Sequence, residues 1–298
     1  MEGTGRIAPG AVGALTAVAA CIVALAFAAS DAHALECGKT VKKDVKLKQN
    51  LLNCPGDGLI AGANDITIDL NGHRIDGTQA EDSAGIRDAG FEDVTVRGGG
   101  GRVTGFFTGL HVNADGTSAA GLEVRNVLCG VCVGDGADGV RVARVEIRKA
   151  AVWGVFTGSD TLIKRSEVRG AGVTGIAADG ADARLVGNQV FGSGLRGILV
   201  PEDGGQRLRN NLVRRSGSSG ILVDDDAGTG ARLIGNRTHR NGDHGIEIEP
   251  AGVEVGDNRA NYNDQWGIMA PPGTIDLGGN KAKGNGAGQC SGLAVFCG

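Results

Sequence analysis

A glycine followed by an apolar residue returns through this chain at nearly constant spacing, and that period limits the possible folds more than any other feature. The dipeptides are Gly58-Leu59, Gly85-Ile86, Gly109-Leu110, Gly130-Val131, Gly154-Val155, Gly175-Ile176, Gly197-Ile198, Gly220-Ile221, Gly245-Ile246 and Gly267-Ile268, set 21 to 27 residues apart. A unit of this length cannot bury its own apolar face, but a stack of such units can. The chain therefore reads as a solenoid.

Within one unit, residues alternate after the glycine as in a half-buried strand. In Gly245-Ile246-Glu247-Ile248 the two isoleucines point inward and Glu247 faces water. A polar turn follows, then a second short apolar strand such as Ala231-Arg232-Leu233 or Val253-Glu254-Val255. Behind it stands a polar column: Ser166, Asn188, Asn211, Asn236, Asn258 and Asn280. A second polar column, Ser193, Ser216, Asn241 and Asn263, precedes each glycine by four residues. Asn tolerates left-handed backbone, and its amide can bond to the Asn of the next unit. Two or three short strands per unit, polar turns and no 3.6-residue period predict an all-β parallel β-helix. Leucine-rich and helical repeats do not fit. With 54 glycines and only 3% aromatics, the side chains suit tight coils.

The repeat resembles the right-handed parallel β-helix superfamily of pectate lyases, polygalacturonases and mannuronan epimerases, over roughly residues 58–288. The resemblance implies a right-handed solenoid of about ten coils, on the order of 50 Å long at ~4.8 Å per coil. It rests on structural positions and leaves activity open.

Residues 1–34 read as an export signal: Arg6, an Ala-rich apolar run over 8–29, and an Ala32-His33-Ala34 cleavage site. Val18-Ala19-Ala20-Cys21 also has the form of a lipoprotein site. A secreted, periplasmic or envelope location is expected, with no membrane span after signal removal. Six cysteines then remain, and an even number in an exported chain reads as disulfides. Cys37 with Cys54 would clamp an N-terminal cap, residues 35–57, and Cys290 with Cys297 a C-terminal cap, residues 289–298. Cys129 and Cys132 form a lone C-x-x-C, read as a disulfide or two packed thiols, because zinc would need a second pair.

Thirty basic and 34 acidic residues, with pI near 5.8, argue against nucleic acid. Two sets of residues carry chemistry. After the glycine-started strand lies an acidic ledge in which Asp203, Asp224, Asp225 and Asp226 are candidate calcium ligands, although Asp is also an ordinary turn residue. Before the glycine runs the column Trp153, Thr174, Arg196, Ser219, His244 and Trp266. Here Trp153, Asp264 and Trp266 are candidate sugar contacts, and Arg196, Asp243 and His244 candidate catalytic groups. The plainer alternative is that the tryptophans only cover a turn.

Asp243-His244-Gly245 is similar to the histidine part of the polygalacturonase pattern, but Ser218-Ser219-Gly220 and Leu195-Arg196-Gly197 stand where aspartates should be. The Asp-Pro-His-Asp of mannuronan epimerases is absent, and a chain with only two methionines offers few soft ligands for copper. The expectation is a monomeric, polysaccharide-binding protein, of lyase or epimerase type if catalytic. The alternative is a non-catalytic, adhesin-like rod of the envelope.

Overall fold

The structure, a computed structural model, describes Met1, residues 35–291 and residues 295–298. The export signal expected over 1–34 lies outside the described residues apart from Met1.

From Lys39 on, short strands wind as a right-handed parallel solenoid with three faces, and no helix is present among the described residues. The first face holds the glycine-started strands, for example Ile198–Val200, Ile221–Val223 and Ile246–Ile248. The second is an 11-stranded sheet that includes Arg207–Arg209, Arg232–Ile234 and Glu254–Gly256. The third includes Leu212–Arg214, Arg237–His239 and Arg259–Asn261. Its strands join the first face into one 21-stranded sheet, because Glu123–Val133 and Glu146–Phe156 run round the corner without a break. Register is strict: Ile198 faces Ile221, Ile221 faces Ile246, and Ile246 faces Ile268.

The solenoid reaches one coil further than the glycine period marks. Lys39–Val41, Val45–Lys46 and Leu51–Cys54 pair in parallel with Leu59–Ala61, Thr67–Asp69 and Arg74–Gly77. The expected N-terminal cap is thus a coil itself, giving about eleven. Its glycine, Gly38, is followed by the exposed Lys39, so it lacks the apolar mark. Disulfides Cys37–Cys54 and Cys290–Cys297 are formed at the two ends, and Cys129–Cys132 is a third.

Burial follows the columns. Ile198, Val200, Ile221, Val223 and Ile246 are fully enclosed, as are Leu208, Leu233 and Val255 from the second face and Val190 and Val213 from the third. Each such side chain contributes about 1.5–3 kcal/mol. The recurring glycine is a matter of space. A Cβ on Gly197 would lie 2.1 Å from Val213 Cγ1 and 2.5 Å from the carbonyl oxygen of Gly220. Any side chain there would push the coils apart.

The asparagines form two buried ladders. Asn188, Asn211, Asn236 and Asn258 each donate Nδ2 to the Oδ1 of the next, ending on Asn280, at 3.0–3.2 Å. Asn241, Asn263 and Asn285 repeat this at 2.9 Å at the other corner. The left-handed conformation expected of these asparagines belongs to their predecessors: Arg165, Asn210 and Asp257 before the first ladder, Arg215, Arg240 and Tyr262 before the second. The turn bends at that residue, which leaves the ladder Asn free to point inward.

Candidate functional site

On the first face, each coil sends two side chains outward three residues apart, one before the inward glycine–aliphatic pair and one after it. Along the rod these pairs read Thr108 and His111, Cys129 and Cys132, Trp153 and Phe156, Thr174 and Ala177, Arg196 and Leu199, Ser219 and Leu222, His244 and Glu247, Trp266 and Met269. Successive pairs are one coil apart, about 4.8 Å. The column that holds the tryptophans and the acidic ledge are the two rims of this single strip. Only a three- or four-residue strand, about 10–13 Å, separates them.

The centre of the strip is an apolar floor of Phe156, Ala177, Leu199 and Leu222. Trp153 packs at 5.3 Å from Phe156 with its ring tilted by 54°. Trp266 is half-buried five coils further on, about 24 Å away, so the tryptophans do not form one stacking site.

Asp243 and His244 are brought together. His244 Nε2 lies 3.5 Å from Asp243 and 3.9 Å from Glu247, and Ser219 Oγ donates to Glu247 at 2.5 Å. The backbone N–H of Trp266 donates to His244 Nδ1 at 3.1 Å. That lone pair is occupied, so the neutral imidazole carries its proton on Nε2 and presents a donor to the strip. The same contact disfavours a metal on Asp243, His244 and Glu247, because Nε2 would have to lose that proton. Glu247, read from sequence as merely water-facing, is mostly enclosed here with 16% of its side chain exposed.

Arg196 is not part of this cluster, standing two coils away, about 10 Å. Its charge acts across the floor on Asp224 instead. Asp264 is exposed in the turn before Trp266.

On the ledge, Asp224, Asp225 and Glu249 place ligand oxygens within 4.8 Å of one another. The N–H of Asp225 donates to Asp224 Oδ1 at 2.9 Å and to Glu249 Oε2 at 3.1 Å. Burial and then Asp225 hold the Asp224 carboxyl above its ordinary value, with Arg196 opposing. Burial, with the charges of Asp224, Glu247 and Asp225, raises Glu249. Asp203 lies elsewhere on the ledge, where with Glu202 it adds to the burial that raises Asp179. Asp226 is exposed and outside the cluster.

At the N-terminal end of the strip, sequence reasoning missed Arg87 and His111. Asp57 grips Arg87 through both oxygens at 2.8 and 3.0 Å, and Arg87 Nη1 donates to His111 Nδ1 at 2.5 Å. Burial, then the Arg87 charge, holds the His111 imidazole below its ordinary value. The signal available was their shared offset from Gly85 and Gly109.

Several solved structures share the architecture. A variant of the periplasmic alginate epimerase AlgG aligns with a TM-score of 0.64 at 13% identity, covering 86% of this chain and 72% of that one. The catalytic domain of a GH87 α-1,3-glucanase in complex with tetrasaccharides aligns at 0.57 and 12%, covering 87% and 61%. The Dettilon tailspike protein gp208 aligns at 0.51 and 15%, covering 84% and 60%. The chain thus spans about three-fifths of the latter two, and at these identities the likeness is one of fold. No curated protein matches the sequence. Residues 150–296 match the family model described as a right handed beta helix region, and since the earlier coils continue it in register, the chain is a right-handed parallel β-helix.

Proposed function

We propose that the protein binds an extended polysaccharide along the outward strip of the first face, in an extracellular or periplasmic setting. The observation that carries this reading is the placing of the only two tryptophans in one outward column, five coils apart along the strip. A coil spacing close to the length of one sugar residue lets successive sugars meet successive coils. Aromatic rings stack on sugar faces, and the polar rims supply hydrogen bonds. The solved structures of similar fold include a polysaccharide epimerase and a glucanase domain holding tetrasaccharides, which supports the same class of ligand.

For a uronate in the strip, Asp243, His244 and Glu247 are the groups positioned for proton transfer. His244 serves as the donor through Nε2–H, and a carboxylate, Glu247 or Asp243, serves as the acceptor. Arg196 meets a substrate carboxylate two coils away from that centre. The Asp224, Asp225 and Glu249 carboxylates suit calcium, because their mutual repulsion is only partly offset by Arg196 and a hard cation takes oxygen ligands. Calcium bound there would neutralise a nearby uronate carboxylate and acidify its α-proton.

A non-catalytic binding rod is the second reading. It is favoured by Ser218-Ser219 and Leu195-Arg196, which stand where the polygalacturonase pattern has aspartates. One experiment addresses both. Polyuronides and neutral glucans are incubated with the protein, with and without calcium, and followed by calorimetry, by absorbance of unsaturated ends and by NMR for epimerisation. Trp266→Ala should weaken glycan binding by about 1 kcal/mol or more with unchanged thermal stability. Glycan binding that survives in both Trp153→Ala and Trp266→Ala would refute the strip.

A further inference from the structure

The third face changes character along the rod. In its first half, the outward cations stand against carboxylates. Arg102 meets Glu123 at 2.7 Å, and Arg125, Arg148 and Arg169 pair with Glu123, Glu146 and Glu167. Register produces this, because the three glutamates fill one outward column and the three arginines the column beside it. Beyond Gln189–Phe191 the carboxylates stop and the cations continue. The outward pairs become Leu212 and Arg214, Arg237 and His239, Arg259 and Asn261, Lys281 and Lys283. Arg215 and Arg240 extend the row at the adjoining turn.

Among the described residues, Arg214, Arg237, Arg259, Lys281 and Lys283 have no carboxylate oxygen within 4.0 Å. A shallow concavity of about 350 Å³ opens between Arg214, Arg237, His239, Arg259 and Asn261, with no acidic residue in its wall. His239 sits within it, its imidazole held below the ordinary value by burial and then by Arg240, Arg214 and Arg215. Like charges one coil apart repel, and the first half of this same face cancels them with its glutamate column. In the second half no such glutamate column is present among the described residues, which leaves the row free to take a counter-charge from outside the chain.

We infer that this basic strip of the third face is a second binding surface, which takes a polyanionic glycan of carboxylated or sulfated sugars running along the rod. Three coil spacings, about 14 Å, separate the strands of Arg214 and Lys281. One anionic sugar per coil would match the row. Nucleic acid fits less well, since the neighbouring rings are already engaged: Phe191 lies beneath Arg169 at 4.5 Å and Arg214 at 5.7 Å, and Tyr262 meets His239 edge-on at 5.3 Å. The inference does not depend on the first face, whose strip contains none of these residues.

The test is a charge-reversed double variant, Arg237→Glu with Arg259→Glu, titrated with polygalacturonate oligomers, with neutral dextran and with a duplex DNA at two salt concentrations. Both positions are exposed strand residues, and circular dichroism should show an unchanged fold. Polygalacturonate affinity should fall at least about tenfold, and its salt dependence should flatten by roughly two charges. Arg141→Glu with Arg184→Glu, the same charge change on the second face, should cause a much smaller loss. Trp266→Ala reports on the first face alone, so failure of one surface is distinguishable from failure of the other. Should the Glu variant not fold, Arg237→Gln with Arg259→Gln must show the same loss in smaller degree. Unchanged affinity, an equal loss in the second-face control, or DNA binding as tight as polygalacturonate would overturn the inference.

Discussion

Replacing Asn211 by Ala tests the interior of the coils more directly than any surface change. Asn211 is fully buried and makes four hydrogen bonds through its side chain. Its Oδ1 accepts from the backbone N–H and from Nδ2 of Asn188, at 3.0 and 3.1 Å. Its Nδ2 donates to the Leu185 carbonyl at 2.9 Å and to Asn236 Oδ1 at 3.0 Å. Four bonds worth about 0.5–1.5 kcal/mol net each, with two donors of Asn188 left unpaired, give an expected loss of about 4 kcal/mol. Asn211→Ser should cost about half of that, since a hydroxyl in this column can still accept a backbone N–H, as Ser166 does from Val145. Asn211→Asp should be worse than Ala at neutral pH, because an anionic oxygen would face Leu185 O and Asn236 Oδ1. Its folded-state pKa would then be raised, so its stability penalty vanishes below the unfolded value of about 3.9 and grows as pH rises through the folded one. Guanidinium denaturation at pH 7 and again in acid measures the series. An Ala variant costing under about 1 kcal/mol, or an Asp variant no worse than Ala at pH 7, would refute the ladder as a source of stability.

Ile221→Asp, which buries an unpaired charge in the column shared by Ile198 and Ile246, should abolish folding; a cooperative thermal transition near that of the parent would contradict this. Calcium should raise the melting temperature, and Asp224→Asn with Glu249→Gln should remove the shift, by thermal scans with and without chelator. The same double variant should flatten the pH dependence: with Asp179, Asp224 and Glu249 raised, the folded state binds the extra protons, so stability is higher in mild acid and falls as pH rises through their folded values. Glu247→Gln should lower any turnover of uronates while leaving glycan affinity within about threefold of the parent, as expected of a proton acceptor outside the stacking contacts.

Much of the fold was legible because every coil repeats the same local demands. Inward Ile221 and Ile246 and the amides of Asn211 and Asn236 recur at fixed offsets, so one coil predicts the next. The first coil was hidden because Lys39 occupies the place of the apolar residue. Site residues were harder, since their partners sit a whole coil away. Glu247 looks like an ordinary water-facing strand residue until the register brings Ser219 beside it and the strand's own geometry brings His244 near. For the same reason, the tryptophan column and the acidic ledge looked like competing sites, when a single short strand makes them opposite rims. The basic strip escaped notice because overall charge is nearly balanced, and only the pairing of Glu146 with Arg148, against its absence beside Arg237, exposes the local excess.

The asparagine ladders also give the rod a direction of hydrogen bonding. Every ladder Oδ1 accepts from the N-terminal side, while Nδ2 sends one N–H to the next amide toward the C-terminus and the other back to a carbonyl of the preceding coil, so each chain of amides runs in one direction. The two ends therefore need different chemistry. At the start the ladders receive backbone N–H groups, from Ser166 at 3.0 Å and from Ser216 at 3.0 Å. At the finish the last amides meet acceptors, Asn280 on the Asp276 carboxylate at 2.8 Å and Asn285 on Gln289 at 3.0 Å. Asp276 also accepts the N–H of Phe296 at 2.9 Å, in the segment closed by Cys290–Cys297. Another molecule stacking end to end could extend this ladder only by displacing a carboxylate that already accepts from its last amide.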